Sequence, residues 1–152
     1  MQAKLLVTAA LGTVGSAVAD AALLQGLPVR VGARDVDKVR SRFAGADAVA
    51  LDLANRATWP GALDGVGAVF LVRPPAMADV EKNLCPFIDA CRASGVGHIV
   101  FLSVAGAERR SWVPHRKVEL HLAPRPDHTV LRPGFFAQNL ETAYRRDIVD
   151  DD

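Results

Sequence analysis

A chain of 152 residues has room for one domain around one core, since a fold of this size buries about 68–70% of its unfolded surface. Half of the residues are hydrophobic and the formal charge is +1, which argues against a disordered chain and against a broad electrostatic grip on nucleic acid. The partners this points to are a small-molecule substrate or another protein. Residues 1–24 imitate a secretion signal, with Lys4 ahead of an apolar stretch, but Gly12, Gly15 and Asp20 interrupt the run. No run approaches the eighteen or more apolar residues of a membrane span. A soluble, cytoplasmic protein that leaves membranes alone is expected. Cys85 and Cys91 stand six apart with no CxxC pair and no matching His spacing, so they read as structural thiols and no metal site is expected.

The first strand is KLLVTA (4–9), which runs through a glycine-containing turn into a helix over 13–25 that Gly26 ends. PVRVGA (28–33) is the second strand, and the helix over 36–43 puts Val36, Val39 and Phe43 on one side. DAVALD (47–52) and GAVFLV (67–72) follow, then a helix over 78–93 ending at Gly95, the strand HIVFLS (98–103), a helix over 113–122, the Pro-rich connection APRPDH (123–128) and the strand HTVLRP (128–133). Strands rich in Val, Ile and Phe that alternate with helical patterns predict right-handed βαβ units. The expected fold is α/β, one domain over residues 1–152, a doubly wound parallel sheet in a three-layer αβα arrangement that binds ligands beyond the carboxyl ends of its strands.

At the first such end stands VTAALGTVGSAVAD (7–20). Gly12 would let the backbone approach a pyrophosphate, Gly15 would let helix and strand pack closely, and the amides of Thr13 and Val14 would face the anion from the helix N-terminus. A plain strand-to-helix turn is the alternative. Ala9 stands where such sites carry their first glycine, so its methyl either forces the turn out of positive φ or intrudes on the phosphate, at a cost of order 1 kcal/mol. Arg34 ends the second strand where an acidic residue would select NAD(H). With Lys38 four residues on it favours the 2′-phosphate of NADP(H), unless both are solvated charges paired with Asp35 or Asp37. Arg73, after the fourth strand, is placed to meet a phosphate or substrate, although Pro74 and Pro75 offer no amides for an anion. HRKVE sets His115 and Glu119 at i and i+4, either a Glu-supported imidazole suited to proton relay or a helix-stabilising surface pair.

TAALGTVG (8–15) resembles the TGxxGxxG junction of NmrA-like NAD(P)-binding proteins, atypical members of the short-chain dehydrogenase/reductase group, with Ala9 at the first glycine. GARDVDKV (32–39), FLVRPPAMADVEKN (70–83), GHIVFLSVAGAER (97–109), PHRKVE (114–119) and LRPGFFAQN (131–139) look like successive segments of that family, in order, over nearly the whole chain. The resemblance implies a Rossmann-like fold, a cofactor site that includes Thr8, and Asp52 and Leu53 as the pair flanking the adenine; Asp52 could equally cap a turn. It also implies that Ser103 is the serine of the catalytic set and that His115 stands where the family places a His or Lys. The Tyr/Lys pair of the wider group has no counterpart, since Tyr144 is followed four residues on by Ile148. Beyond LRPGFFAQNLE the family continues into a region covering substrate, whereas this chain stops in DIVDDD (147–152). A truncated protein, or a cleft completed by another subunit, is the expectation, and Phe135, Phe136 and Leu140, left uncovered, suggest a homo-oligomer.

Three functions follow from these residues. One is an NADPH-dependent reductase of a small carbonyl or quinone; another is a non-enzymatic NADP(H)-sensing regulator; the third is a cofactor-independent enzyme on a recruited scaffold using Ser103, His115 or Arg73.

Overall fold

The computed structural model describes residues 3–134 and 136. Six strands form one parallel sheet: β1 (Lys4–Val7), β2 (Val29–Ala33), β3 (Asp47–Ala50), β4 (Val66–Val72), β5 (His98–Leu102) and β6 (His128–Leu131), in the order β3-β2-β1-β4-β5-β6. Every adjacent pair is parallel, and β1 holds Val7 beside Val31 of β2 and beside Phe70 of β4. All six strands stand where the Val-, Ile- and Phe-rich runs put them. The chain leaves β1 in opposite directions on its two sides, and that reversal opens a crevice at the carboxyl ends of β1 and β4.

Alternation along each strand sorts side chains to two layers. On one face α1 (Thr13–Leu24) and α2 (Val36–Arg42) pack Ala19, Ala22 and Val39, with Phe43, over Val7, Val31 and Phe70. On the other face α3 (Trp59–Leu63), α4 (Leu84–Ala93) and α5 (Pro114–Leu122) cover Leu6, Val69, Leu71 and Phe101. Leu6 and Val7 are neighbours in sequence and both fully buried, on opposite faces, which is the three-layer arrangement reduced to two residues.

Helix ends follow local chemistry. Gly26, at φ +71°, closes α1: its N–H bonds Leu23 O while that of Leu27 bonds Ala22 O. The helix expected over 78–93 begins only at Leu84, and Pro86 is the reason. A proline has no N–H and its ring clashes with the carbonyl four residues back, so Pro86 is tolerated only inside a first turn. Residues 80–83 instead make turns, with the Val80 N–H on Ala78 O and that of Cys85 on Val80 O. The five-residue α3 and the 3₁₀ turn before it, Arg56–Thr58, were not expected, being too short for periodicity to show.

Arg30 on β2 is buried, and its Nη1 donates to the carbonyls of Gly61, Ala62 and Asp64 at 2.6–3.2 Å, closing the C-terminus of α3. Its Nε and Nη2 grip Asp47 of β3 at 2.8 and 2.6 Å. One guanidinium thus joins two strands to a helix. No helix among the described residues is long and apolar enough to cross a membrane, and none of their His, Cys, Asp and Glu side chains cluster as metal ligands. Cys85 and Cys91 are buried free thiols, and burial pushes them up to about 11 and about 12, which leaves them unreactive. Phe136 is half-buried; Phe135, Leu140, Tyr144 and Ile148 lie outside the described residues.

Candidate functional site

The crevice at the sheet reversal is a cleft of about 880 Å³. Four segments wall it: residues 8–12 after β1, residues 32–35 with Lys38 at the end of β2, residues 51–54 after β3, and residues 74–77 with Asn83 after β4. Thr8, Gly12, Arg34, Lys38, Asp52 and Leu53 are therefore brought together on one opening.

The turn from β1 to α1 is built on its backbone. Ala9 keeps a positive φ of +51°, so the methyl has not forced the turn open; the strain is borne instead, and the exposed residue lines the cleft. Its carbonyl accepts from the Gly12 N–H at 2.9 Å. That same oxygen would lie 2.3 Å from a Cβ on Gly15 but 3.3 Å from one on Gly12, so Gly15 is the position that must remain glycine. Gly12 caps α1 without a side chain, and the first turn of α1 contains no acidic residue. The first amides of the helix are left for a ligand. Thr8 serves differently from the other lining residues: its buried hydroxyl donates to Phe70 O at 3.1 Å and accepts from the Val72 N–H at 2.9 Å, fastening the turn to β4.

The strain gives a prediction. A non-glycine residue in the left-handed region costs about 1–2 kcal/mol, and glycine's extra freedom in the unfolded chain returns about 0.4–1 of it. Ala9→Gly is expected to stabilise the protein by about 0.5 kcal/mol in urea denaturation and, by removing a methyl that lines the cleft, to tighten cofactor binding up to about tenfold, seen by calorimetry.

Arg34 is exposed and forms no ion pair among the described residues, while Lys38 lies 3.4 Å from Asp35. Asp35 also caps α2 by accepting the Lys38 N–H, and that bond, ahead of the Lys38 side chain, holds its carboxyl below the ordinary value. Of the two cations, Arg34 is the one without a competing carboxylate among the described residues. Asp52 accepts the Ala54 N–H at 2.9 Å, the turn cap that was its alternative reading, while Leu53 is buried at the cleft wall.

The residues expected to do proton chemistry are arranged otherwise than their spacing suggests. Glu119 does not support His115. Its buried carboxylate accepts from Ser103 Oγ at 2.6 Å, from Arg116 at 3.1 Å, and from Nε and Nη2 of Arg132 at 2.8 and 3.0 Å. Burial alone would raise this carboxyl; the bonds from Arg132, Ser103 and Arg116 outweigh it and bring it down to about 2. His115 meets a cation instead, its Nε2 lying 3.3 Å from Arg73 Nε. Burial first, then the Arg73 charge, lowers it from the ordinary imidazole value. Arg73 is not among the residues lining the cleft; its guanidinium turns back onto its own loop. Sequence spacing did not reveal Arg132, because a strand-end arginine advertises its need for a carboxylate but not which one; nor Met77 and Asn83, which reach the cleft only because α4 starts late.

The cleft fits a dinucleotide on the chain's own features: a turn that a Cβ on Gly15 would fill, helix amides that no side chain caps, and an arginine unpaired among the described residues. A family model described as NAD(P)H-binding matches residues 9–152. Prestalk A differentiation protein A of Dictyostelium discoideum is 34% identical, over 97% of this chain and 50% of its own length. The NAD(P)H azoreductase of Xenophilus azovorans is 33% identical, over 90% and 49%. Among solved structures, an NADPH-dependent quinone oxidoreductase of Escherichia coli complexed with NADPH superposes with a TM-score of 0.79 at 22% identity, over 96% of this chain and 54% of that one, a likeness of fold. This chain spans about half the length of the curated relatives it matches. Turn, cleft and family match agree with the NmrA-like resemblance of the sequence: the chain belongs to the NAD(P)H-binding family.

Proposed function

We propose that the cleft binds NADP(H) in preference to NAD(H), and that the chain is the cofactor-binding part of a reductase for a small carbonyl, quinone or comparable acceptor. The observation that carries this reading is Arg34, exposed at the end of β2 and unpaired among the described residues, on the same opening as Gly12, the residue that caps α1 without a side chain. A charge-assisted bond to a phosphate contributes about 1.5–3 kcal/mol. In this proposal the backbone at Gly12 gives the diphosphate room, the amides of Thr13 and Val14 hold it, Arg34 holds the 2′-phosphate, and Leu53 and the aliphatic wall exclude water from the adenine. The chemistry that the bound cofactor supplies is hydride donation. The azoreductase relative supports a reductive role, and buried, unpaired Cys85 and Cys91 suit the reducing cytoplasm.

Calorimetric titration tests the proposal. NADPH is expected to bind at least tenfold more tightly than NADH, and Arg34→Ala to erase the difference; equal affinities in the unaltered protein, or no binding of either, would overturn it.

One observation favours a second reading, a nucleotide-responsive regulator without proton transfer. The Ser103 hydroxyl donates its hydrogen bond to Glu119, and the His115 Nε2 accepts from Arg73. Consumption of NADPH with a panel of quinones and aldehydes supports the reductase; tight binding with no consumption supports the regulator.

A further inference from the structure

The wall of the cleft formed by residues 74–77 has little means of holding its own shape. Pro74 and Pro75 have no N–H, and the loop's own backbone bond runs from the Met77 N–H to Pro74 O at 2.9 Å. One side chain behind it supplies the rest. Arg73 Nη1 donates to the carbonyls of Pro74, Pro75 and Met77 at 3.1, 3.1 and 2.8 Å, while its Nε donates to His115 Nε2 at 3.3 Å. Four acceptors in two directions require a planar fork, which an ammonium lacks.

His115 can accept from Arg73 only through an unprotonated Nε2, so in this arrangement the ring is neutral with its proton on Nδ1. Three elements face the imidazole: Arg73 after β4, the Phe101 ring of β5 at 6.2 Å, and Glu119 one turn along α5. Glu119 alone of these favours an imidazolium, and its oxygens are already bonded to Ser103, Arg116 and Arg132.

We propose that Arg73 is a positioning residue for the cofactor cleft, anchored by neutral His115, so that protonating the imidazole frees Arg73 from the 74–77 wall and weakens nucleotide binding. Protonated Nε2 has no lone pair for Arg73 and sets two cations side by side. The sign follows from the lowered value of His115: the neutral form is the one the fold favours, so the wall is intact above about pH 6.5 and released as pH falls through the lowered value. The binding half of this proposal rests on the NAD(P)H reading of the same cleft; the loop half does not.

Two measurements separate the halves. In nucleotide-free protein, the amide resonances of Ala76 and Met77 are expected to shift between pH 8 and pH 5 together with the His115 ring, and His115→Gln, which keeps an acceptor for Arg73 but no titrating proton, is expected to abolish that shift. NADH has no 2′-phosphate ionising in this window. Its affinity is expected to weaken about tenfold from pH 8 to pH 5, the effect of a one-unit pKa difference, and to become independent of pH in His115→Gln. Arg73→Met, and Arg73→Lys with its charge but no fork, are expected to bind NADH about tenfold more weakly than the parent at pH 8 and about equally at pH 5, with little dependence on pH of their own. Amides at 76 and 77 that ignore His115 in a protein that binds nucleotide would overturn the anchoring alone. Amides that titrate in a protein binding neither NADH nor NADPH would overturn the cofactor reading and the binding half with it.

Discussion

Replacing Glu119 by alanine is expected to lower stability by about 3 kcal/mol, read as a urea midpoint or as a fall of about 10 °C in Tm. The side chain is buried and serves Ser103 at the end of β5, Arg116 on its own helix and Arg132 at the end of β6. Removing Glu119 leaves Ser103 and Arg116 without this acceptor and Arg132 with Glu108 at 3.6 Å, and the value lies at the low end of the range for buried pairs because Arg116 and Arg132 reach solvent. Glu119→Gln keeps an acceptor but not the charge, and about half the loss is expected. The pH dependence has a definite sign. The carboxyl is lowered to about 2 in the fold, so its contribution is complete above the unfolded value of 4.5 and disappears as pH falls through about 2. The gap between the parent and Glu119→Ala should therefore close in acid. A loss under 1 kcal/mol at neutral pH would show that the network is only a surface feature.

Gly15→Ala is the second large effect. Its Cβ would stand 2.3 Å from Ala9 O, 2.8 Å from Ala9 C and 3.0 Å from Thr8 O, all backbone atoms that cannot turn aside. Helix α1 must move off β1 or the 9–12 turn must open, and overpacking of this kind costs about 1–3 kcal/mol. The expected result is a thermal midpoint lower by about 6 °C and NADPH affinity lower by about a hundredfold, because the turn that is displaced aims the helix amides. Gly12→Ala, with its nearest contact at 3.3 Å, should be far milder in stability. Gly15→Ala binding NADPH within threefold of the parent would show that the turn does not form the phosphate site.

The sheet was legible because buried parallel strands need apolar runs of strand length, and all six runs of this chain meet that need. Gly26 likewise announced the end of α1. What the sequence hid was decided by partners remote along the chain. Pro86 could have warned that α4 begins late, since the rule against interior proline is local; the turns that take its place run through Val80, whose N–H bonds Ala78 O and whose carbonyl accepts from the Cys85 N–H. The i,i+4 spacing correctly made His115 and Glu119 neighbours on α5. It could not show that Arg132, arriving thirteen residues later just past β6, would offer Glu119 a two-pronged bond that an imidazole cannot match. Arg34 was legible as a cation at the strand end, and its freedom from Asp35 was not, because Arg34 and Lys38 flank Asp35 and compete for it until α2 is folded and the Asp35 cap is made.

The most direct measurement is the amide spectrum of the protein titrated with NADPH. The largest shifts are expected at Gly12, Thr13, Val14 and Gly15, with a further set around Arg34 that appears with NADPH and not with NADH. Binding that leaves the amides of residues 12–15 unmoved would contradict the assignment of the β1–α1 turn as the phosphate site.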